Sequence, residues 1–173
     1  VATPIGNLED VTLRALRTLR EADLVLAEDT RRTRVLCAHH AIATPLRAYH
    51  AHSGERERRR CLDDLALGKH IALVTDAGTP LISDPGADLV RAAADLGATV
   101  EVIPGPSALT AALSVSGIPF DSLRFVGFLP RSGSRRRAAL QAIADGDEVV
   151  VLFESPARIA SALAFLAALL APD

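Results

Sequence analysis

Aromatic side chains make up only 3% of this 173-residue sequence, so its core must be built from Ala, Leu, Val and Ile. The same scarcity leaves no stacking platforms for single-stranded bases. Cysteine is also sparse. Cys37 and Cys61 stand far apart, with no CxxC and no Cys/His ligand spacing, so no metal is expected and a reducing, cytoplasmic setting is. The longest uncharged apolar run, Ile159 to Pro172, is shorter than the ~20 residues a bilayer needs. It reads as a buried helix, and no membrane association is expected. No leader pattern marks the first residues.

Several familiar loops are missing too. There is no GxGxxG after the first strand, no GxxxxGK[ST] and no GxSxG elbow. Dinucleotide-binding, P-loop and serine-hydrolase readings therefore lack support. Lysine is nearly absent: Lys69 is the one lysine among 19 basic residues, leaving 18 arginines against a net charge of −2.

What is present is an alternation of short apolar runs and amphipathic stretches. Strands are expected at Asp23–Ala27, Leu46–His50, Ile71–Thr75 and Thr99–Ile103, with a first strand ending near Thr3. Helices follow each. Asp10 or Thr12 is expected to cap the first, Ser53 the third, and Asp84 with Pro85 the fourth, while Ser107 begins an apolar helix running to Gly117. Ile118–Ser122 reads as a domain boundary. After it come strand Arg124–Leu129, helix Ser134–Ala144, strand Glu148–Phe153 and helix Ala157–Leu170. The pattern predicts an α/β protein with a mostly parallel sheet in residues 1–119. Residues 123–173 read as a second α/β domain, expected to be incomplete, with apolar surface exposed or covered by a partner chain.

The unusual residues gather at strand ends: Thr3–Asn7, Glu28–Arg32, Asp76–Pro80 and Pro104–Ser107. In a parallel sheet these ends share one edge, where such sheets bind ligands. The central loop, TDAGTPLISDPG (Thr75 to Gly86), is longer than an ordinary βα link and rich in small residues. Asp76, Asp84 and Asp88 could suggest a divalent cation. Asp84 as a cap and Asp88 as a first-turn acid explain them better, so no metal is assigned.

Taken together, TPIGNL (Thr3 to Leu8), AEDTR (Ala27 to Arg31), TDAGTPLISDPG and PGPSA (Pro104 to Ala108) resemble the tetrapyrrole-methylase-like methyltransferases. GFLP (Gly127 to Pro130) and FESPAR (Phe153 to Arg158) carry the resemblance into the second domain. It is closest to the branch that 2′-O-methylates a cytidine in small-subunit (16S) ribosomal RNA using S-adenosylmethionine. Members of that branch run on past Asp173, and tend to read His-x-His-Asn where this chain has His50-Ala51-His52-Ser53.

The resemblance implies a two-domain fold, a homodimer, and a methyl donor held in the cleft between domains. Carried over by motif, Pro4, Gly6, Asp76, Gly78, Thr79, Pro80, Ile82, Ser107 and Ala108 would contact the donor, with Phe153, Glu154 and Ser155 from the second domain. The implied partner is 16S rRNA or the small ribosomal subunit. A base would help remove the hydroxyl proton. Lys69 sits at the wrong end of its strand, which leaves Glu28, Asp29, His50 and Glu154 as unranked candidates; capping or ion pairing is the alternative for each.

The arginines divide by context. Arg56 and Arg58–Arg60 interleave with Glu55 and Glu57, which reads as a solvated helix face. Arg135, Arg136 and Arg137 oppose the dipole of a helix first turn, at ~0.3–1 kcal/mol each if exposed. An RNA phosphate would remove that cost. Arg131 beside them, and Arg31, Arg32 and Arg34 at the strand-end edge, are assigned to RNA by the same logic. Two rival readings stay open: a methylase of the same fold acting on a tetrapyrrole or other small molecule, and a truncated, non-catalytic binding module.

Overall fold

The computed structural model describes residues 1–170, and the chain divides into two compact units, Val1–Val115 and Ser116–Asp173.

The first unit is built on β1 (Leu24–Ala27), whose four residues are all buried. Its neighbours are β2 (Leu46–Ala48) and β3 (Ile71–Leu73), both parallel to it, in the order β2-β1-β3. Successive side chains of a strand point to opposite faces, and β1 feeds two cores. Val25 and Ala27 join Leu19, Leu36, Ile42 and Val74 on one face. Leu24 and Leu26 join Tyr49, Cys61 and Leu89 on the other. Full burial of a Val or Leu side chain contributes about 1.5–3 kcal/mol, and the expected core of Ala, Leu, Val and Ile gains one aromatic member beside the strand, Tyr49, at 2% exposure.

Helices α1 (Leu13–Glu21), α2 (Thr30–His39), α3 (Glu55–Ala66), α4 (Ala87–Asp95) and α5 (Ala108–Ser116) complete this unit, α5 running one residue beyond its boundary. Thr12 caps α1, its Oγ1 accepting from the Ala15 N–H at 3.0 Å. Asp29 caps α2 through the Arg31 N–H.

The structure departs from the sequence pattern at four places in this unit. Ser53 does not cap α3; Gly54 holds that position, while the Ser53 Oγ accepts from the His50 N–H at 2.9 Å. Asp84 does not cap α4. The helix starts two residues later, with Gly86 at its N-cap and φ +117°. The first strand is reduced to an antiparallel bridge between Thr3 and Gly78. Thr99–Ile103 is not a strand: the Ile103 carbonyl accepts from the Ala2 N–H, but Val100 and Val102 are 53% and 70% exposed. Alternating valines there have no sheet face to cover.

The second unit pairs β4 (Leu123–Phe128) with β5 (Val149–Phe153) in parallel, with an irregularity between Phe125 and Gly127. Phe153 packs edge-on against Phe125 and Phe128, with ring centroids 5.0 and 5.5 Å away. Helices α6 (Gly133–Ala144) and α7 (Pro156–Leu169) accompany the pair, and Leu129, Leu140 and Ala162 form the small core. The run from Ile159 was expected to be a buried helix. In α7 only Ala162 is buried and Leu163 is 58% exposed, because two strands offer little surface to pack on. The end of that run, residues 171–172, lies outside the described residues.

Candidate active site

The strand-end loops of the first unit are stitched together by backbone bonds. The Thr3 N–H donates to the Gly78 carbonyl at 2.9 Å, and the Gly78 N–H returns the bond at 3.0 Å. The buried Thr3 hydroxyl donates to the Thr75 carbonyl at 3.1 Å. The Thr79 hydroxyl reaches the Pro106 carbonyl at 3.3 Å. Loops 3–7, 75–86 and 104–107 therefore meet at Gly78. Its φ of +87° suits glycine, and a Cβ there would touch Ile5 Cγ2 at 3.5 Å and the Pro106 oxygen at 3.7 Å.

Beyond Gly78 the loop stays unusual. Leu81 and Ser83 adopt φ +69° and +68°, followed by Gly86 at +117°. Left-handed non-glycine residues cost of order 1–3 kcal/mol and cluster where a loop serves a ligand. Pro80 is half-buried and Ile82 is 40% exposed. Pro4 is half-buried beside Thr3, Gly6 is exposed, and Ser107 and Ala108 stand where α5 begins. Backbone groups and apolar surface in this combination suit a small ligand with a neutral base and a zwitterionic end.

The fourth loop joins through a carboxylate, the Asp29 N–H donating to Asp76 Oδ1 at 3.0 Å. Around Asp76 the acids crowd. Partial burial, then the charges of Asp76 and Asp84, raise the Glu28 carboxyl above its ordinary value, opposed by a hydrogen bond from Thr75 and the charge of His50. Burial also raises Asp84, which Thr75 partly offsets. Asp29 goes the other way. Hydrogen bonds from the Arg31 side chain and backbone lower it to about 2.

Sequence reasoning missed Thr75 and misplaced Asp84. The signal available was the length of the loop, since positive φ at Leu81, Ser83 and Gly86 turns Asp84 away from the helix start.

In the second unit Glu154 is a structural centre. Its side chain has no exposed surface and lies between Arg136, at 2.5 Å, and Arg158, at 2.6 Å. Burial would raise its carboxyl, but Arg136, the Ser155 N–H and Arg158 hold it low. Arg136 is thereby separated from Arg131, Arg135 and Arg137, which are exposed and form no ion pair among the described residues. At the other basic set, Arg31 pairs with Asp29 at 2.7 Å, Arg32 faces Asp76 at 3.6 Å, and Arg34 is exposed. Phe153 and Ser155 flank Glu154, Ser155 as the N-cap of α7.

Among the described residues no group of three or more His, Cys, Asp or Glu side chains is arranged to hold a metal ion. No helix there is long and apolar enough to cross a membrane.

Known proteins resemble this chain along most of its length. The family described as Tetrapyrrole (Corrin/Porphyrin) Methylases matches residues 1–173. The ribosomal RNA small subunit methyltransferase I of Halalkalibacterium halodurans is 52% identical over 94% of this chain and 56% of its own length. Its Thermotoga maritima namesake is 50% identical over 94% of this chain and 73% of its own length. The chain thus spans little more than half of the first relative.

Among solved structures, the uroporphyrin-III-C-methyltransferase of Thermus thermophilus superposes with a TM-score of 0.55 at 25% identity, covering 76% of this chain and 58% of that one. A cobalamin biosynthetic enzyme, cobalt precorrin-4 methyltransferase, gives a TM-score of 0.69 over 94% of this chain and 70% of that one. At 20% identity the latter shows the fold alone.

Proposed function

This chain belongs to the tetrapyrrole (corrin/porphyrin) methylases, and from that premise we propose that it methylates the 2′-hydroxyl of a cytidine in small-subunit ribosomal RNA, with S-adenosylmethionine as donor. The observation that carries this reading is identity of 50–52% to proteins named for ribosomal RNA small-subunit methylation. The tetrapyrrole enzyme compared above reaches only 25%.

The donor supplies an electrophilic methyl on a sulfonium sulfur, so the protein has chiefly to align two partners. Gly78, Thr79, Pro80 and Ile82 would hold it with Pro4, Gly6, Asp76, Ser107 and Ala108. The cradle at Gly78, which tolerates backbone approach and disfavours a side chain, fits that role. The free arginines Arg131, Arg135 and Arg137 would meet RNA phosphates, as would Arg34 and, after exchange of their carboxylate partners, Arg31 and Arg32. Recognition through backbone and shape suits a folded ribosomal particle.

The test is transfer of labelled methyl from S-adenosylmethionine. Label is expected in RNA of small subunits lacking the modification, and none on a free tetrapyrrole. The reverse result contradicts the reading.

A further inference from the structure

We infer that the Glu28 carboxylate is the base that takes the proton from the accepting ribose hydroxyl, positioned by the Thr75 hydroxyl. This rests on the function proposed above. It follows from which of the four candidate bases, and their neighbour Asp76, have their lone pairs already engaged.

Asp29 has both oxygens occupied. Oδ1 accepts from the Arg31 N–H at 2.9 Å and from Arg31 Nε at 3.0 Å, while Oδ2 accepts from Nη2 at 2.7 Å. Asp76 accepts from the Asp29 N–H through Oδ1 and faces Arg32 Nε through Oδ2. His50 has its Nδ1 engaged, accepting from the His52 N–H at 3.2 Å. Glu154 is enclosed between Arg136 and Arg158 in the other unit.

Glu28 differs from all of these. It follows the last residue of β1, the central strand, at the edge where the loops of the first unit meet. Oε2 accepts from the Thr75 hydroxyl at 3.4 Å, and no ion pair holds the carboxylate among the described residues. Oε1 is available. The charged groups that act on it come from two loops: Asp76 and Asp84 after β3, and His50 after β2. Partial burial and the two aspartates make Glu28 a stronger base than an ordinary carboxylate, which favours proton abstraction near neutral pH.

The step balances without a further reactant. A Glu28 oxygen takes the hydroxyl proton as the ribose oxygen forms its bond to the methyl carbon. The carbon–sulfur bond breaks, its electron pair stays on sulfur, and a neutral thioether leaves. Glu28 ends as a carboxylic acid and loses the proton to water.

The experiment measures single-turnover methyl transfer to small ribosomal subunits against pH, in the native chain and in Glu28→Gln, Thr75→Val and Asp84→Asn. Carbon-13 NMR titration of the Glu28 carboxyl provides a readout independent of turnover. Glu28→Gln is expected to lower the rate about 10²–10⁴-fold and to remove its acid limb, with donor affinity unchanged by calorimetry. Thr75→Val removes a donor and shifts the limb, and the Glu28 titration, to higher pH. Asp84→Asn removes a negative charge and shifts both to lower pH.

A Glu28→Gln chain that keeps the native rate and acid limb overturns the assignment while leaving the proposed function standing. So does an NMR titration unmoved by both of the other changes. No transfer by the native chain contradicts the proposed function itself and removes this inference with it.

Discussion

Thr3 and Gly78 exchange both of their backbone hydrogen bonds, at 2.9 and 3.0 Å, and so fix the first loop of the chain against its central one. Everything proposed for donor binding depends on that pairing. It brings Ile5 beside the turn at Gly78, where the Pro106 carbonyl also closes in.

Gly78→Val places a branched side chain at φ +87°, a region L residues rarely adopt, against Ile5 and Pro106. The expected outcome is a loss of about 1–3 kcal/mol in stability and a collapse of S-adenosylmethionine affinity by calorimetry. Native affinity in a folded Gly78→Val chain removes this loop from the site.

Asp29 links acid stability to the start of α2. Its folded value, about 2, lies below the ordinary 3.8. Its contribution is therefore present in full above 3.8 and is lost as pH falls through about 2. Urea midpoints of the native chain and of Asp29→Asn should differ near neutral pH and converge on acidification. A gap that is constant down to pH about 2 contradicts the bonding seen to Arg31.

The arginines of α6 should separate by assay. Arg135→Ala with Arg137→Ala is expected to weaken RNA binding and reduce its salt slope, by roughly 0.7–0.9 for each phosphate left unneutralised, with the thermal midpoint unchanged. Arg136→Ala is expected to lower that midpoint, because Glu154 would be left with one partner fewer inside an enclosed site. Equal effects in both assays would restore a single three-arginine surface.

These contrasts show what was legible in the sequence. LVLA at 24–27 stood out, because a strand buried on both faces must be continuously apolar. The α/β pattern and the strand-end loops followed from such runs. Arg135–Arg137 read as one cluster, since adjacency in sequence hides the ~100° turn per helical residue that sends Arg136 alone towards β5. Asp84–Pro85 carried a good helix-start signal that lost to a loop geometry set by Leu81, Ser83 and Gly86. Nothing local marks Thr75 as the hydroxyl that donates to Glu28; that takes two strands in register.

Oligomeric state offers a further check. None of the residues of α5 is buried, and Val115 on it is 84% exposed, as are Val102 and Phe128 at 70% and 54%. We propose a homodimer, for which sedimentation at micromolar concentration should give twice the monomer mass. A monomer under those conditions contradicts it.

The most direct test of the proposed activity is mass-spectrometric mapping of small-subunit RNA after incubation with this chain and S-adenosylmethionine. A new 2′-O-methylcytidine is expected, formed only when the donor is present and abolished by Gly78→Val. Unmodified ribosomal RNA, alongside methyl transfer to a tetrapyrrole, would contradict it.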